Sequence, residues 1–560
     1  MADDVGGDRP MSLPDWNSLP LPQQVAQMIV VRASGYCFDH QIQYPALEPP
    51  AETLRHWIQS LGVGGVILLG GSAVELAVRS QQLQDWAAVP LLLAADIEEG
   101  VGQRFSGATW FPPPMALGAI AGHDLQGAIA AATDFGAITA QEALAIGLNW
   151  ILAPVVDVNS NPLNPVINVR AFGDQVEVVG RLAAAFVQGA KQQAILTTAK
   201  HFPGHGDTTT DSHLDLPILP HSLERLQALE FPPFQQAIAA GVDAVMTAHI
   251  QIPALDANYP ATLSPLLLTH WLRRQWGFEG LIVTDALVMG AIARRYGPTE
   301  AAIQAIRAGA DCLLMPADPV ATVQAICQAV DAGELPLEQI HASLDRLWQA
   351  KHRILGHRLP AGDTSHQWET LPPPPLVLDA IATPQAIATV QTILEQSGDR
   401  QGSFPIDGLK PDELGWNVIL VDSLVHCPFL GLTSSAIVIP EQRGYALRLI
   451  DPHSPCQPGA ILPARPTIVQ LFVRGNPFRG AAGLTQFAQQ WLAALHQTCP
   501  IQALLIYGSP YGVAACQSAT SPDLPYLFSY GQMPQAQSLL MGQLFGAIQS
   551  NAGRSLPFTD

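Results

Sequence analysis

The sequence has few charged residues, and most of those it has are acidic. Charged side chains make up 13% of the 560 residues, about half the share found in average globular proteins. Lysine and arginine number 27 and aspartate and glutamate 47, so the formal net charge is −20 at pH 7. A chain of this charge repels the phosphate backbone of nucleic acids, so we expect no nucleic-acid partner.

Paired cysteines and long apolar runs are also missing. The seven cysteines are scattered and form no CxxC pair, which argues against a disulfide framework or a zinc ribbon. No stretch reaches the roughly 18 apolar residues of a membrane span. The N-terminus has neither the basic nor the apolar segment of a secretory signal before Pro20. We therefore expect a cytoplasmic protein with no membrane partner.

Short apolar runs alternate with longer, Ala-, Gln- and Leu-rich segments between residues 24 and 358. This alternation is typical of parallel strands connected by helices. We predict an α/β fold here, a (β/α)8 barrel of the TIM type. Seven strands are predicted, at residues 63–69, 91–95, 149–156, 195–199, 244–248, 281–284 and 311–315.

A proline run, Pro372 to Pro375, follows the barrel segment and predicts an extended linker. The expected organisation is an N-terminal extension (1–23), the barrel (24–358), a linker (359–376) and a smaller α/β sandwich domain (377–560). In the last domain we predict strands at 418–421, 436–439, 468–473 and 504–507. Helices are predicted around 384–396 and 484–496.

The densest group of polar side chains directly follows the predicted strand at 195–199. It reads Lys200-His201-Phe202-Pro203-Gly204-His205-Gly206-Asp207-Thr208-Thr209-Thr210-Asp211-Ser212-His213-Leu214-Asp215-Leu216-Pro217. In (β/α)8 barrels the chemistry takes place at the C-terminal ends of the strands. Three histidines and three aspartates on one glycine-containing loop favour an active-site loop over a solvated surface loop.

This segment resembles glycoside hydrolase family 3, in its bacterial β-N-acetylglucosaminidase branch. The signature of that branch is K-H-F-P-G-H-G-D-T-x-x-D-S-H-x-x-L-P, and the chain matches every fixed position. The likeness continues upstream, from Ala153 to Asn159 and from Asn164 to Gly173, and downstream from Thr284 to Met289. It implies a small carbohydrate substrate, such as cell-wall muropeptide fragments in the cytoplasm, and neither a metal nor an organic cofactor.

Cleavage of a glycosidic bond with retention needs an ionised nucleophile on one face of the sugar and a proton donor on the other. Asp285 follows the apolar run 281–284, where a barrel places its carboxylate at the active end, although a helix N-cap would also use an aspartate there. The resemblance implies that Asp285 is the covalent nucleophile. It also implies that His213, oriented by Asp211, is the acid and base, a role that suits an imidazole because it titrates near neutral pH.

The resemblance implies five substrate-binding side chains as well: Asp96, Arg104, Arg170, Lys200 and His201. Lys200 and His201 would donate hydrogen bonds to sugar hydroxyls with help from Arg170, and Asp96 would accept from two vicinal hydroxyls.

Around Asp96 the chain departs from the family pattern D-Q-E-G-G-R-V-x-R. It reads Asp96-Ile97-Glu98-Glu99-Gly100-Val101-Gly102-Gln103-Arg104, so four positions differ while Asp96, Glu98, Gly100 and Arg104 keep their register. The preference for a particular sugar is therefore open.

The expected function is that of a retaining exo-β-N-acetylglucosaminidase, and four alternatives stay open. A β-glucosidase of the same family is the first. A phosphorylase is the second, because a histidine acid/base does not repel incoming phosphate as a carboxylate would. A metal-dependent hydrolase could use the ligand types of His201, His205, Asp207 and His213, and a non-catalytic sugar-binding protein would need only the pocket.

Overall fold

The computed structural model describes residues 13–212, 214–356, 378–424, 427, 429–454, 463–474 and 485–546. Those up to Val390 form one compact unit and those from Gln391 onward form a second. The linker predicted for 359–376 lies outside the described residues. Within the described residues, no helix has both the length and the hydropathy that crossing a membrane requires.

The first unit contains eight parallel strands in the order β7-β6-β5-β4-β3-β2-β1-β8. Val283 also pairs with Cys312, next to β8, and Leu287 donates its N–H to the carbonyl of Leu314, so the two outer strands meet and the sheet closes into a barrel. The predicted (β/α)8 barrel is therefore confirmed. The strands are β1 (Ile29–Ser34), β2 (Gly65–Leu69), β3 (Leu92–Ala95), β4 (Trp150–Ile151), β5 (Leu196–Phe202), β6 (Ala244–Thr247), β7 (Leu281–Val283) and β8 (Leu313–Leu314).

Strand β1 was absent from the seven strands that the sequence predicts. Arg32 interrupts its apolar run, and the arginine is held by Glu48, whose Oε1 lies 2.8 Å from Nη2. The other residues of the strand are buried. A charged side chain with a partner can thus lie in a barrel strand, although it breaks the apolar pattern.

Helices connect the strands of the barrel, as a parallel sheet requires. They are α1 (Leu21–Ala26), α2 (Ala51–His56), α3 (Ala73–Trp86), α4 (Met115–Ala121), α5 (Leu125–Ala145), α6 (Val176–Ala190), α7 (Leu223–Ala228), α8 (Phe231–Ala239), α9 (Gly290–Tyr296), α10 (Pro298–Ala308), α11 (Pro319–Asp331) and α12 (Leu337–Gly356). Two π-helical segments, Trp57–Leu61 and Leu266–Gln275, belong to the same unit. Helix α13 (Pro384–Ser397) contains the division between the two units.

The second unit is built on a six-stranded sheet in the order β11-β10-β12-β13-β14-β9. The strands β10 to β14 are parallel, and β9 pairs antiparallel with β14 at the edge. The order of the five parallel strands is one of the two common orders of doubly wound α/β sheets. The strands are β9 (Asp399–Gln401), β10 (Gly415–Val421), β11 (Tyr445–Ile450), β12 (Thr467–Val473), β13 (Ile501–Gly508) and β14 (Tyr526–Ser529).

Two pairs of helices accompany this sheet, which gives the smaller α/β domain that the sequence predicts. Helix α14 packs against α17, and α15 packs against α16. Buried side chains of α14 and α17 form one apolar core with Ile419, Ile468 and Leu505 of the sheet. The helices are α14 (Ser435–Gln442), α15 (Gln486–Thr498), α16 (Tyr511–Ala519) and α17 (Pro534–Phe545).

The prediction of a strand at 436–439 is wrong, because these residues lie in helix α14. Ala436, Ile437 and Pro440 are the buried residues of this helix, a spacing that brings three side chains to one helical face. A four-residue apolar run is ambiguous between strand and helix until its neighbours are known.

Helices α5 and α6 lie unusually close together because glycines occupy their contact. A Cβ atom added to Gly189 of α6 would lie 1.9 Å from the carbonyl oxygen of Thr133, and one added to Gly136 of α5 would lie 2.1 Å from the carbonyl oxygen of Phe186. Each glycine therefore faces the backbone of the other helix, where no side chain can be accommodated.

We predict that Gly189→Ala lowers the free energy of unfolding of the barrel unit by about 1–3 kcal/mol, because the added methyl forces α5 and α6 apart. Urea unfolding measures this change. Gly542→Ala in helix α17 of the second unit is the control for a glycine replaced within a helix, and it should not lower stability, since a Cβ there meets no atom within 4 Å. A Gly189→Ala protein as stable as the wild type would contradict the close approach of the two helices.

Candidate active site

Polar side chains collect at the C-terminal ends of the barrel strands, as the sequence predicts. Asp96 follows β3, Lys200 and His201 lie near the end of β5, and Asp285 follows β7. The pairing register of β5 with β6 shifts between Lys200 and Phe202. Both Lys200 and His201 are buried, and each contacts other polar residues of this cluster.

Lys200 lies between two carboxylates inside the barrel. Its Nζ is 2.6 Å from Oδ1 of Asp96 and 2.6 Å from Oε1 of Glu98. Arg170 forms a bidentate pair with the same Glu98, through Nε to Oε2 and Nη2 to Oε1, both at 2.8 Å. Bidentate guanidinium–carboxylate pairs fix the relative orientation of both groups. Glu98 thus joins the two cations that the sequence assigns to sugar binding.

Exposure separates the two carboxylates that contact Lys200. The Lys200 side chain is 1% exposed and that of Glu98 4%, whereas that of Asp96 is 34% exposed. Glu98 is therefore enclosed by protein, while Asp96 can accept hydrogen bonds from a molecule in the barrel mouth. Arg104 contacts the backbone of the same residue, with its Nε 2.9 Å from the carbonyl oxygen of Asp96.

The charges of this cluster keep one another ionised. Burial by itself would raise the pKa of Glu98, but Arg170 and Lys200 hold it well below its usual range. Burial likewise would lower the pKa of Lys200, but the carboxylates of Asp96 and Glu98 raise it. The pKa of Arg170 is raised for the same reason, since Glu98 outweighs the effect of burial.

Asp157 organises the start of the motif loop. Its Oδ2 lies 2.8 Å from Nδ1 of His201, and its carboxylate also accepts the backbone N–H groups of His201, at 3.2 Å, and of His205, at 2.7 Å. Nε2 of His201 lies 3.4 Å from Nη2 of Arg170. Burial would raise the pKa of Asp157, but His201 and His205 lower it, so the carboxylate is ionised at neutral pH.

His205 holds the loop through both of its ring nitrogens. Nδ1 is 2.7 Å from Oγ1 of Thr208, and Nε2 is 3.0 Å from Oγ of Ser212. The carbonyl oxygen of His205 accepts the side-chain N–H of Asn164 at 2.8 Å. Burial lowers the pKa of His205 to about 4, so the ring is neutral at pH 7.

Asp285 lies two residues beyond the end of β7 and is partly exposed. Its Oδ1 accepts the backbone N–H of Ala286 at 2.8 Å, and the carbonyl oxygen of Ala286 in turn accepts Nε2–H of His249 at 3.0 Å. The negative charge of Asp285 raises the pKa of His205 slightly, against the larger effect of burial.

The structure describes only one member of the predicted acid/base pair. Asp211 is buried in the motif loop next to Ser212, and His213 lies outside the described residues. Their pairing stays a prediction from the sequence.

The residues that depart from the family pattern form contacts of their own. Glu99 accepts Nε1–H of Trp110 at 3.0 Å, and its backbone N–H donates to Oε1 of Gln103 at 3.0 Å. Val101 is fully buried. The altered segment therefore has contacts of its own. Asp96 and Glu98, at its start, occupy the same positions as in the family pattern.

Glu98 and Asp157 are site residues that the sequence motif does not reveal. A signal for each was present, because Glu98 keeps its register in the family pattern and Asp157 follows the strand predicted at 149–156. Their function depends on contacts with residues at least 44 positions away in the chain, such as Arg170 and His201. Spacing along the sequence does not show such contacts.

A metal site is not assembled by the described residues. They contain no group of three or more His, Cys, Asp or Glu side chains placed to hold a metal ion. His201 and His205 direct ring nitrogens at Asp157, Thr208 and Ser212, as described above. Asp207 pairs instead with Arg225 and His221, at 3.1 and 3.0 Å.

A closed (β/α)8 barrel with ionised carboxylates and cations at the C-terminal ends of its strands has the architecture of a barrel enzyme. The chain belongs to glycosyl hydrolase family 3. Residues 21–350 match the N-terminal domain of that family, and residues 409–546 match its bacterial C-terminal domain.

Individual relatives agree with this assignment. Beta-hexosaminidase A of Pseudoalteromonas piscicida is 36% identical over 332 residues, which cover 54% of this chain and 55% of the relative. The beta-hexosaminidase of Stenotrophomonas maltophilia strain R551-3 is 37% identical over 266 residues, or 47% of this chain and 78% of the relative. The match to the first of these thus spans only about half of its length.

A solved structure is similar over almost the whole chain. It is a glycoside hydrolase family 3 beta-N-acetylglucosaminidase from Paenibacillus sp. str. FPU-7, with 30% sequence identity and a TM-score of 0.75. The similarity covers 95% of this chain and 97% of that one.

We predict that the folded state loses stability as the pH falls from about 6.5 to about 4. The unfolded chain has an ordinary histidine pKa and binds a proton over this range, while His205 in the folded chain, with a pKa of about 4, does not. The loss is at most about 3 kcal/mol. The lowered pKa values of Glu98 and Asp157 extend it to lower pH.

Urea unfolding at a series of pH values tests this prediction. His205→Gln should flatten the dependence between pH 6.5 and 4.5, while the exposed His56→Gln should leave it unchanged. An unaltered pH dependence in the His205→Gln protein would show that His205 is not its source.

Proposed function

We propose that this protein is a retaining exo-β-N-acetylglucosaminidase, which removes terminal N-acetylglucosamine from β-glycosides. The observation that carries the proposal is the buried cluster of Lys200, Glu98 and Arg170 with the open carboxylate of Asp96 at its edge. Such a cluster offers ionised donors and an acceptor to a polyhydroxylated ring. The relatives named beta-hexosaminidase and the beta-N-acetylglucosaminidase structure support the choice of sugar.

The terminal sugar would bind with two vicinal hydroxyls on Asp96. Lys200 contacts the same carboxylate and can donate to one of those hydroxyls. His201 presents Nε2 toward Arg170, because Nδ1 is occupied by Asp157. These fixed groups would hold the ring with its anomeric carbon near Asp285, and Arg104 would support Asp96 through its carbonyl oxygen.

In the first step the Asp285 carboxylate attacks the anomeric carbon, and the bond from that carbon to the aglycone oxygen breaks. The leaving oxygen takes a proton from His213, and a glycosyl-enzyme ester forms on Asp285. In the second step the neutral His213 takes a proton from water, and the hydroxide attacks the anomeric carbon. This step restores the Asp285 carboxylate and gives a product of retained configuration.

Asp211 would orient the His213 ring and stabilise its cation. An imidazole titrates near neutral pH, so one side chain can give a proton in the first step and accept one in the second. As the family resemblance of the motif implies, we propose muropeptide fragments in the cytoplasm as substrates.

Rates on nitrophenyl N-acetyl-β-glucosaminide and nitrophenyl β-glucoside, each with and without phosphate, test the proposal. We expect faster release from the N-acetylglucosaminide and no dependence on phosphate. A faster reaction with the glucoside would favour a β-glucosidase, and a requirement for phosphate would favour a phosphorylase. Sugar binding without any release would identify a non-catalytic binding protein.

We predict that Asp285→Ala lowers kcat on the nitrophenyl substrate by about 10⁴-fold or more, because the nucleophile is removed. A fluorinated N-acetylglucosaminide that accumulates the glycosyl-enzyme should label Asp285 in the wild-type protein, as mass spectrometry of peptides would show. Label on a different residue would refute the assignment.

His213→Ala should affect substrates according to their leaving groups. A sugar leaving group needs a proton and should slow by about 10²–10⁴-fold, while nitrophenolate leaves with little protonation and its release should change far less. Asp215→Asn, an exposed substitution on the same loop, is the control and should change neither rate. Equal losses on both substrates would contradict the role of proton donor.

A further inference from the structure

A cavity lies at the opposite end of the barrel from the polar cluster. Its volume is about 320 Å³. It is bounded by residues that precede β6 and β7, including Val242 and Phe278, and by helix α12. Val242, Phe278 and Leu281 belong to its lining and are largely buried. Its size is at the lower limit of small-molecule sites.

Three cationic side chains line this cavity, and each uses only part of its hydrogen-bonding capacity. Lys191 donates to the carbonyl oxygen of Gly241 at 2.8 Å, and Arg346 donates through Nη1 to Asp311 at 2.7 Å. Arg353 donates through Nη1 to Asp243. Within the described residues these are the only hydrogen bonds that the three cationic groups make, although an ammonium group has three N–H donors and a guanidinium group five.

Each of the two arginines is bound by a buried carboxylate, Arg346 by Asp311 and Arg353 by Asp243. Asp243 also accepts the backbone N–H and the hydroxyl of Thr197, at 2.9 and 3.1 Å. Asp311 also accepts from Ser343, from the backbone N–H of Ile282 and from Arg273. Asp311 thus accepts four hydrogen bonds and Asp243 three, and each carboxylate holds its arginine of the cavity lining through Nη1.

The charge around the cavity is positive, although the whole chain carries −20. Two guanidiniums, Arg273 and Arg346, share the single carboxylate of Asp311, and Lys191 has no carboxylate partner among the described residues. The remaining acidic group of the lining, Glu279, is exposed. Burial lowers the pKa of Lys191, and the charge of Arg353 lowers it further, so the two cations repel each other.

We propose that this cavity is a binding site for a small molecule that carries an oxyanion, either a phosphate monoester or a carboxylate. The ligand's charged group would bind to Lys191, Arg346 and Arg353, the three cations of the lining. An anion there relieves the repulsion between Lys191 and Arg353, and guanidinium forks are well suited to both kinds of oxyanion. The site is separate from Asp285 and does not depend on the proposed catalytic function.

Thermal unfolding of the full chain with added inorganic phosphate, methyl phosphate or succinate, each matched in ionic strength with sodium chloride, tests the proposal. We expect a saturable rise in the unfolding midpoint, because a ligand that binds only the folded state stabilises it. A rise with the two phosphates alone would identify a phosphate site, and a rise with all three a general oxyanion site. No saturable rise with any probe would overturn the proposal.

Substitutions locate the binding. Lys191→Gln should raise the concentration for a half-maximal shift by about tenfold. Arg181→Gln, which removes an exposed cation of helix α6, is the matched control and should leave it unchanged. Arg346→Lys keeps the charge beside Asp311 but removes the guanidinium group, which can bind an oxyanion through two N–H groups. This variant should also weaken binding, and it tests the proposal independently if the Lys191→Gln protein folds poorly.

The active site also contains cations, so binding of phosphate there must be distinguished from binding in this cavity. A shift that arises in this cavity should be reduced by both Lys191→Gln and Arg346→Lys, because both residues lie at the opposite end of the barrel from Lys200. A shift that is insensitive to Lys191 and Arg346 would place the anion elsewhere and refute the proposal.

Discussion

Lys200 is enclosed by the barrel and is kept charged there by Asp96 and Glu98. A buried ammonium group is costly unless acceptors surround it, and Glu98 in turn depends on Arg170 for its own charge. Removal of any member leaves an uncompensated charge in the interior. The cluster therefore forms as a unit, and it fixes the positions of β3, β5 and the segment around Arg170 relative to one another.

The side chains of this cluster differ in whether they face protein or the open barrel mouth. Glu98 and Arg170 face protein, so they hold the geometry, whereas Asp96 faces the barrel mouth. Preorganised charges of this kind need no rearrangement when a polar ligand replaces water. Asp157 binds Nδ1 of His201 and so fixes the orientation of its ring beside Arg170.

Much of the fold could be predicted from the sequence because buried parallel strands leave continuous apolar runs. That rule located the strand ends at Asp96, Lys200 and Asp285. It failed for β1, where the paired Arg32 breaks the run, and for residues 436–439, where four apolar residues belong to a helix. Glu98 and Asp157 could not be identified from the sequence, because they act through contacts with partners distant in the chain. The pair of Asp211 and His213 is assigned from the resemblance of the motif.

The hydrogen bonds from the backbone N–H of His205 to Asp157 and between the His205 ring and Ser212 connect the segment after β4 to the residue that precedes His213 in the sequence. Three positions that lie 48 and 7 residues apart in the chain thus form one series of contacts. A change at one of them alters the surroundings of the others. A substitution at position 157 or 212 therefore acts on the start of the motif loop through residue 205.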